Sequence, residues 1–211
     1  MPFAVYDYRK DIKNVLVTPH IRSRFLSMEP GAVASLHSHD LGHEIFLILQ
    51  GQCEFNIEGD IQVLGPGQMC VALSDEMHQV RVIGDEQMIM YLSVTPHIHP
   101  THTGRNEDGS PKDIRFAPQN AYDQEPAADS IEDNIDRHVQ AAQDLARAAR
   151  ESAQIQKNMA EKLKQALENG DKEAAENARN TMWKGIYQVY KSIYAQGEPW
   201  NDLAPRAVPN E

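Results

Sequence analysis

The chain has 211 residues, 41% of them hydrophobic and 24% charged, an ordinary composition for a globular protein with enough apolar side chains for a sizeable core. Its formal net charge is −11 at pH 7, and no stripe of Lys and Arg interrupts that acidity, which argues against nucleic acid or an anionic membrane surface as partner. Only Cys53 and Cys70 carry thiols, too few for a disulfide framework.

Taken in chain order, the first ten residues, Met1 to Lys10, place charges where a secretory signal needs an apolar stretch, and no later run approaches membrane-spanning length; the expected location is cytoplasmic. From His20 to about Pro96 come eight short β-rich runs: 21–28, 32–39, 44–49, 52–57, 61–64, 69–73, 78–83 and 88–94. Gly51, Gly59-Asp60, Gly65-Pro66-Gly67 and Gly84-Asp85 separate them where tight turns are needed. Residues 1–96 are therefore expected to form an antiparallel barrel or jelly roll. Cys53 alternates in phase with Phe55 and Ile57, the pattern of a small buried side chain. The runs Ile45 to Leu49 and Met88 to Leu92 are apolar at both parities, so their outer faces need cover, either from a second copy of the chain or from its own C-terminal helices. A homodimer or higher homo-oligomer is the expected assembly.

Within the barrel, His37 and His39 alternate onto one face of a strand and offer two imidazoles to one point. The Asp40-Leu-Gly-His43 stretch is a turn, after which the next strand begins at Glu44; if the two strands pair, its carboxylate returns beside the histidines. From Gly31 to Gly51 the spacing is GxxxxxHxHxxxxExxxxxxG, which closely resembles the first motif of the cupin superfamily. That resemblance implies a double-stranded β-helix and a third histidine from a later hairpin, and the segment from Gly67 to His78 supplies a glycine and a histidine at the expected separation. Leu73 and Asp75 stand where the cupin pattern has proline and glycine, and Val82 where it often has asparagine. The implied ligand set is His37, His39, Glu44 and His78, holding one divalent transition metal. Fe(II) is favoured, while Mn, Ni, Co, Cu and Zn suit the same donors.

Residues 97–129 are proline-rich and irregular, a linker long enough to cross the barrel and serve as a lid over the metal. Ser130 to Glu168 and about Asp171 to Ala195 are two helical patterns forming an antiparallel hairpin over 130–196, followed by a tail at 197–211. Its seam contains His138, Ser152 and Gln156, which weakens an isolated hairpin. The fold class is mainly β, a cupin-type jelly-roll barrel followed by an α-helical hairpin outside the cupin-like portion.

Several further residues have two readings each. His97, His99 and His102 are either a second metal site or part of an exposed or lid-associated segment. His43 faces away from the metal on a strand or swings toward the pocket as an acid or base, and Glu76 is a second proton carrier. Arg22, Arg24 and Arg81 are surface ion pairs or, if inward-facing, receptors for a substrate carboxylate. Tyr91 is a core aromatic or a pocket hydroxyl. The leading functional expectation is a mononuclear metal-dependent cupin enzyme acting on a small, oxygen-rich organic molecule, with Fe(II)-dependent dioxygenation preferred. A non-redox lyase, decarboxylase or isomerase has the same ligands, and a non-catalytic binding or sensing cupin is the alternative from another class.

Overall fold

The computed structural model describes residues 3–207. The chain divides into two compact units, one formed by the chain as far as Ala127 with the residues from Ala204 onward, the other by Ala128–Leu203. The first unit holds ten strands: β1 (Asn14–Thr18), β2 (Ile21–Met28), β3 (His37–Ser38), β4 (His43–Gln50), β5 (Gln52–Ile57), β6 (Asp60–Leu64), β7 (Met69–Ala72), β8 (His78–Ile83), β9 (Met88–Thr95) and β10 (Thr103–Gly104). A 3-10 turn follows at Gln119–Tyr122.

These strands form two five-stranded antiparallel sheets, ordered β1-β2-β9-β4-β7 and β10-β3-β8-β5-β6. Their inner faces share one core, with Phe46, Ile48, Met90 and Leu92 from the first sheet and Cys53, Phe55, Val80 and Val82 from the second. This is the expected jelly roll, with two strands more. β1 lies before the first expected run and pairs with β2, while β10 comes from the proline-rich segment and pairs with β3. The run expected over 32–39 is regular only at His37–Ser38; upstream it touches β8 through a single bridge, Val33 to Arg81.

Parity on β4 is resolved by burial: Glu44, Phe46 and Ile48 are buried, and Ile45 and Leu47 between them are only partly so. On the outer side of the first sheet Phe25 meets Tyr91 edge-on, and Tyr8 from the N-terminal segment meets Phe25 in the same way. That segment therefore provides part of the cover the double-parity runs required. Two glycines fix the path of β4. At Gly42 a side chain would collide with the Thr95 carbonyl, and Gly51 sits at φ +69° with the backbone of Gln87 and Met88 against it.

The second unit consists of α1 (Ile131–Glu168) and most of α2 (Lys172–Ala207). Ser130 caps α1 by accepting from the Asp133 amide at 3.0 Å, and Gly170 at φ +67° ends it. In the polar seam Gln156 donates across to the Met182 carbonyl at 2.9 Å and Ser152 is buried where Gly185 allows close approach, whereas Nδ1 of His138 is buried without a hydrogen-bond partner. α2 continues to Ala207, so residues 197–207, expected as tail, are helical; residues 208–211 lie outside the described residues. Asn134 donates to Asp202 at 2.7 Å and His138 packs on Trp200 at 5.4 Å. These contacts hold the last turns despite Gly197 and Pro199, a tertiary override of poor helix propensity. No described helix is long and apolar enough to cross a membrane.

Candidate metal centre

Four side chains converge inside the barrel from three strands and one loop. His37 on β3 lies opposite His78 on β8 in the strand register, His39 follows two residues after His37, and Glu44 opens the buried face of β4. One ligand atom from each of the four lies within 4.8 Å of every other. From Glu44 Oε2 the three Nε2 atoms stand at 2.7 Å for His39, 3.1 Å for His78 and 3.8 Å for His37. Among the described residues no other group of three or more His, Cys, Asp or Glu side chains comes together in this way.

The opposite nitrogen of each ring is tied to the backbone. Nδ1 of His37 bonds the Ser35 carbonyl at 2.9 Å, that of His39 the Thr101 carbonyl at 2.6 Å, and that of His78 the Glu76 carbonyl at 2.9 Å. A carbonyl accepts only, so each Nδ1 carries the proton. In the neutral imidazole this leaves each Nε2 with a lone pair directed at Glu44, the tautomer of a metal ligand.

The turn before His78 carries the departures from the cupin pattern. Asp75 stands at φ +68°, the left-handed region that glycine would occupy at no cost, and its amide donates to the His39 carbonyl at 3.1 Å. Asp therefore fills the backbone role of glycine and links the turn to β3.

The proline-rich segment reaches the site. Besides the Thr101 carbonyl, it contributes His102, whose ring lies 5.0 Å from that of His37 and 4.7 Å from that of His39. Burial, with Arg22 adding to it, holds the His102 imidazole well below its ordinary pKa and hence neutral. His97 and His99 are also buried, with Tyr122 packed on both rings. They point to Tyr122 rather than to His102, so the three histidines of this segment do not converge on a second metal and are not exposed. Arg105 anchors the segment, donating to Ser38 Oγ from Nε at 3.0 Å and from Nη2 at 2.7 Å.

A cavity of about 590 Å³ opens beside His37 and is lined by His102, Lys112, Arg115, Phe116 and Tyr122 among others, a size suited to a small molecule. The three candidate proton or hydroxyl groups lie elsewhere. His43 is exposed, and its Nδ1 accepts from the Ser74 amide at 2.9 Å. The Glu76 carboxylate turns back to accept from the Leu73 amide at 2.8 Å. Tyr91 is on the outer face of its sheet, with its hydroxyl 3.1 Å from Ser23 Oγ. The structure brings none of the three to the four-residue cluster; the apolar run around Tyr91 carries no phase information, so its facing was unreadable in the sequence. The cavity walls Lys112, Arg115, Phe116 and Tyr122 were missed, because only folding joins that irregular segment to the barrel.

Residues 24–95 match the family described as Cupin domain. No curated protein matches the chain. Among solved structures, it is similar to an uncharacterized conserved protein with a double-stranded beta-helix domain from Klebsiella pneumoniae, at 19% identity and TM-score 0.43 over 45% of this chain and 91% of that one. A protein from Bacillus halodurans is similar at 17% identity and TM-score 0.43, over 49% of this chain and 88% of that one. KdgF from Halomonas sp. is similar at 27% identity and TM-score 0.38, over 42% and 79% respectively.

Proposed function

The barrel of this chain belongs to the cupin superfamily, and from that premise we propose that the protein is a mononuclear metal-dependent enzyme acting on a small, oxygen-rich organic molecule. The observation that carries this is the donor set. Three Nε2 lone pairs face one carboxylate oxygen at 2.7 to 3.8 Å, while each Nδ1 is occupied by a backbone carbonyl. Neutral imidazoles so placed repel the carboxylate, and a cation among them turns that repulsion into ligation. His37, His39, Glu44 and His78 would hold the ion, with Fe(II) proposed and the other divalent transition metals as alternatives.

Such an ion supplies Lewis-acid polarisation of a bound oxygen and, as Fe(II), a means of activating dioxygen. The chain's own groups do the rest. His39, Glu44 and His78 are almost fully buried, which keeps bulk water from that side, whereas His37 is partly exposed and adjoins the cavity through which a substrate enters. His102, neutral at the cavity wall, is placed to hydrogen-bond a substrate bound there. Dioxygenation is the reaction proposed; a non-redox lyase, decarboxylase or isomerase reaction uses the same ligands.

The test is elemental analysis of the purified protein joined to oxygen uptake with a panel of small carboxylates, diols and thiols. Stoichiometric metal and substrate-dependent oxygen consumption are expected. Stoichiometric zinc with no oxygen consumed would remove the dioxygenase reading, and failure to take up any divalent metal would remove the enzyme reading altogether.

A further inference from the structure

The two helices of the hairpin meet along a seam where Gln156 donates to the Met182 carbonyl and Gly185 lets Ser152 and Ile155 approach. Each helix also carries a second apolar stripe that the seam does not use. On α1 it runs through Ile135, Val139, Ala142, Ala146, Ala149 and Ala153, at alternating spacings of four and three. Ile135 and Val139 are 43% and 48% exposed, and Ala146, Ala149 and Ala153 are exposed as well. On α2 the stripe runs through Trp183, Ile186, Tyr187, Tyr190 and Ile193, with Trp183 and Tyr190 each 58% exposed. Neither stripe includes a charged residue over these spans, so neither selects a partner by charge.

Both stripes lie on one side of the hairpin. A helix turns about 100° per residue, so Leu163 and Leu167 continue the α1 stripe two heptads beyond Ala149 and Ala153, while Glu176 and Arg179 continue the α2 stripe one heptad before Trp183 and Ile186. These four residues line a single cavity of about 420 Å³ near the tip of the hairpin. The stripes are therefore two halves of one face. Size differs across it: the seam contacts set Trp183 to Tyr190 level with the stretch of α1 from Ala146 to Ala153, so a ridge of three aromatic rings stands beside a trough of alanines.

Two such hairpins related by a two-fold axis parallel to their helices place the ridge of each on the trough of the other, both contacts being made at once and at the same level. That is the self-complementarity an isologous interface needs. The area agrees. A covered aromatic side chain buries about 150–250 Å², and three of them with Ile135, Val139, Ile186 and Ile193 supply most of the roughly 800 Å² per partner of a standard interface.

We propose that this face docks a second copy of the chain, α2 of each protomer lying antiparallel on the alanine stripe of the other's α1, so that two hairpins close into a four-helix bundle. The alanines let the helix backbones come close enough for the aromatic ridge to be covered. This assembly does not depend on the metal reading of the barrel.

The test is sedimentation velocity of the full chain, joined to cross-linking of cysteine variants. Wild type is expected to sediment at twice the 23.7 kDa mass of the chain. Ala149→Glu puts a charge in the trough yet keeps a good helix former; it is expected to weaken the dimer at least roughly 10-fold, as covering an unpaired charge implies, with helix content by circular dichroism unchanged. Asn158→Glu, half a turn of α1 away from Ala149, is expected to leave the dimer intact. Co-expressed Ala149→Cys and Tyr187→Cys chains are expected to be joined by a short bismaleimide, beyond what either variant gives alone and beyond the wild-type background from Cys53 and Cys70. Should Ala149→Glu lose helix content, the cross-linking decides. A wild type that stays monomeric at every concentration overturns the proposal. So does a dimer that folded Ala149→Glu leaves intact, which puts the interface elsewhere on the chain, and so does linkage of Ala149→Cys alone at the level of the mixture, which pairs like helices instead.

Discussion

His37, His39 and His78 share one device: a backbone carbonyl at 2.6 to 2.9 Å takes the Nδ1 proton and so directs Nε2 inward. Removing the His78 ring removes a ligand and one edge-on contact with Phe46 at 5.7 Å, while the remaining packing of Phe46, Phe55, Val80 and Met90 stays in place. His78→Ala is therefore expected to lose metal affinity by about 100-fold or more, past the range typical of outer-shell changes, while circular dichroism still reports a folded barrel; unchanged metal content would mean that His78 is not a ligand. Asp75 offers a backbone test. At φ +68°, Asp75→Gly is expected to leave stability unchanged or to raise it by up to about 1 kcal/mol, and Asp75→Val to lower it by about 1–2 kcal/mol, measured by denaturant unfolding. At this scale the four ligands were legible because a period of two and fixed glycine spacings carry local information. Arg22 and Tyr122, with the buried guanidinium 5.4 Å from the ring centre, were not legible as a pair, since nothing in either stretch of sequence specifies that the irregular segment returns to β2.

The strands follow from alternation wherever one face is buried, as in β5 with Cys53 and Phe55 inward, and this is why most of the barrel could be placed in advance. The exceptions are informative. β3 shrinks to two residues because the stretch before it pairs with β8 through one bridge, Val33 to Arg81, rather than a continuous ladder, and α2 outlasts its expected stop because Asp202 and Trp200 are held by α1. Gly185 tests the hairpin seam. A side chain there meets Ser152 Oγ at 3.1 Å and Ile155 at 3.4 Å, so Gly185→Leu is expected to destabilise the chain by about 1–3 kcal/mol as an overpacking change, read as a lowered melting temperature. On α2, Trp183, Tyr187 and Tyr190 are exposed at helical spacing with Ile186 and Ile193, more apolar surface than a lone helix face usually leaves in water. The homo-oligomer expected from the sequence remains a proposal, and this stripe gives it a direct check. Light scattering is expected to show self-association that Trp183→Glu and Tyr190→Glu weaken, whereas a monomeric wild type would contradict it.

Across the whole molecule, acid is expected to act on buried imidazoles as well as on carboxylates. Burial, with the charge of Arg22 adding to it, pushes His97 down to about 3 and His99 down to about 4. Between those values and the ordinary histidine range the unfolded chain binds protons that the folded chain refuses, so stability falls as pH drops from about 6.5 toward 4. His97→Gln with His99→Gln should flatten that slope; an unchanged slope in metal-free protein would show that neither imidazole is buried in solution. The central claim is that four particular side chains hold one metal, and X-ray absorption spectroscopy of the loaded protein tests it most directly. The account predicts a first shell of oxygen and nitrogen only, with multiple-scattering features of three imidazoles and no sulfur, reduced to two imidazoles in His78→Ala. A sulfur shell from Cys53 or Cys70, or an imidazole count that the His78→Ala substitution leaves at its wild-type value, would contradict it.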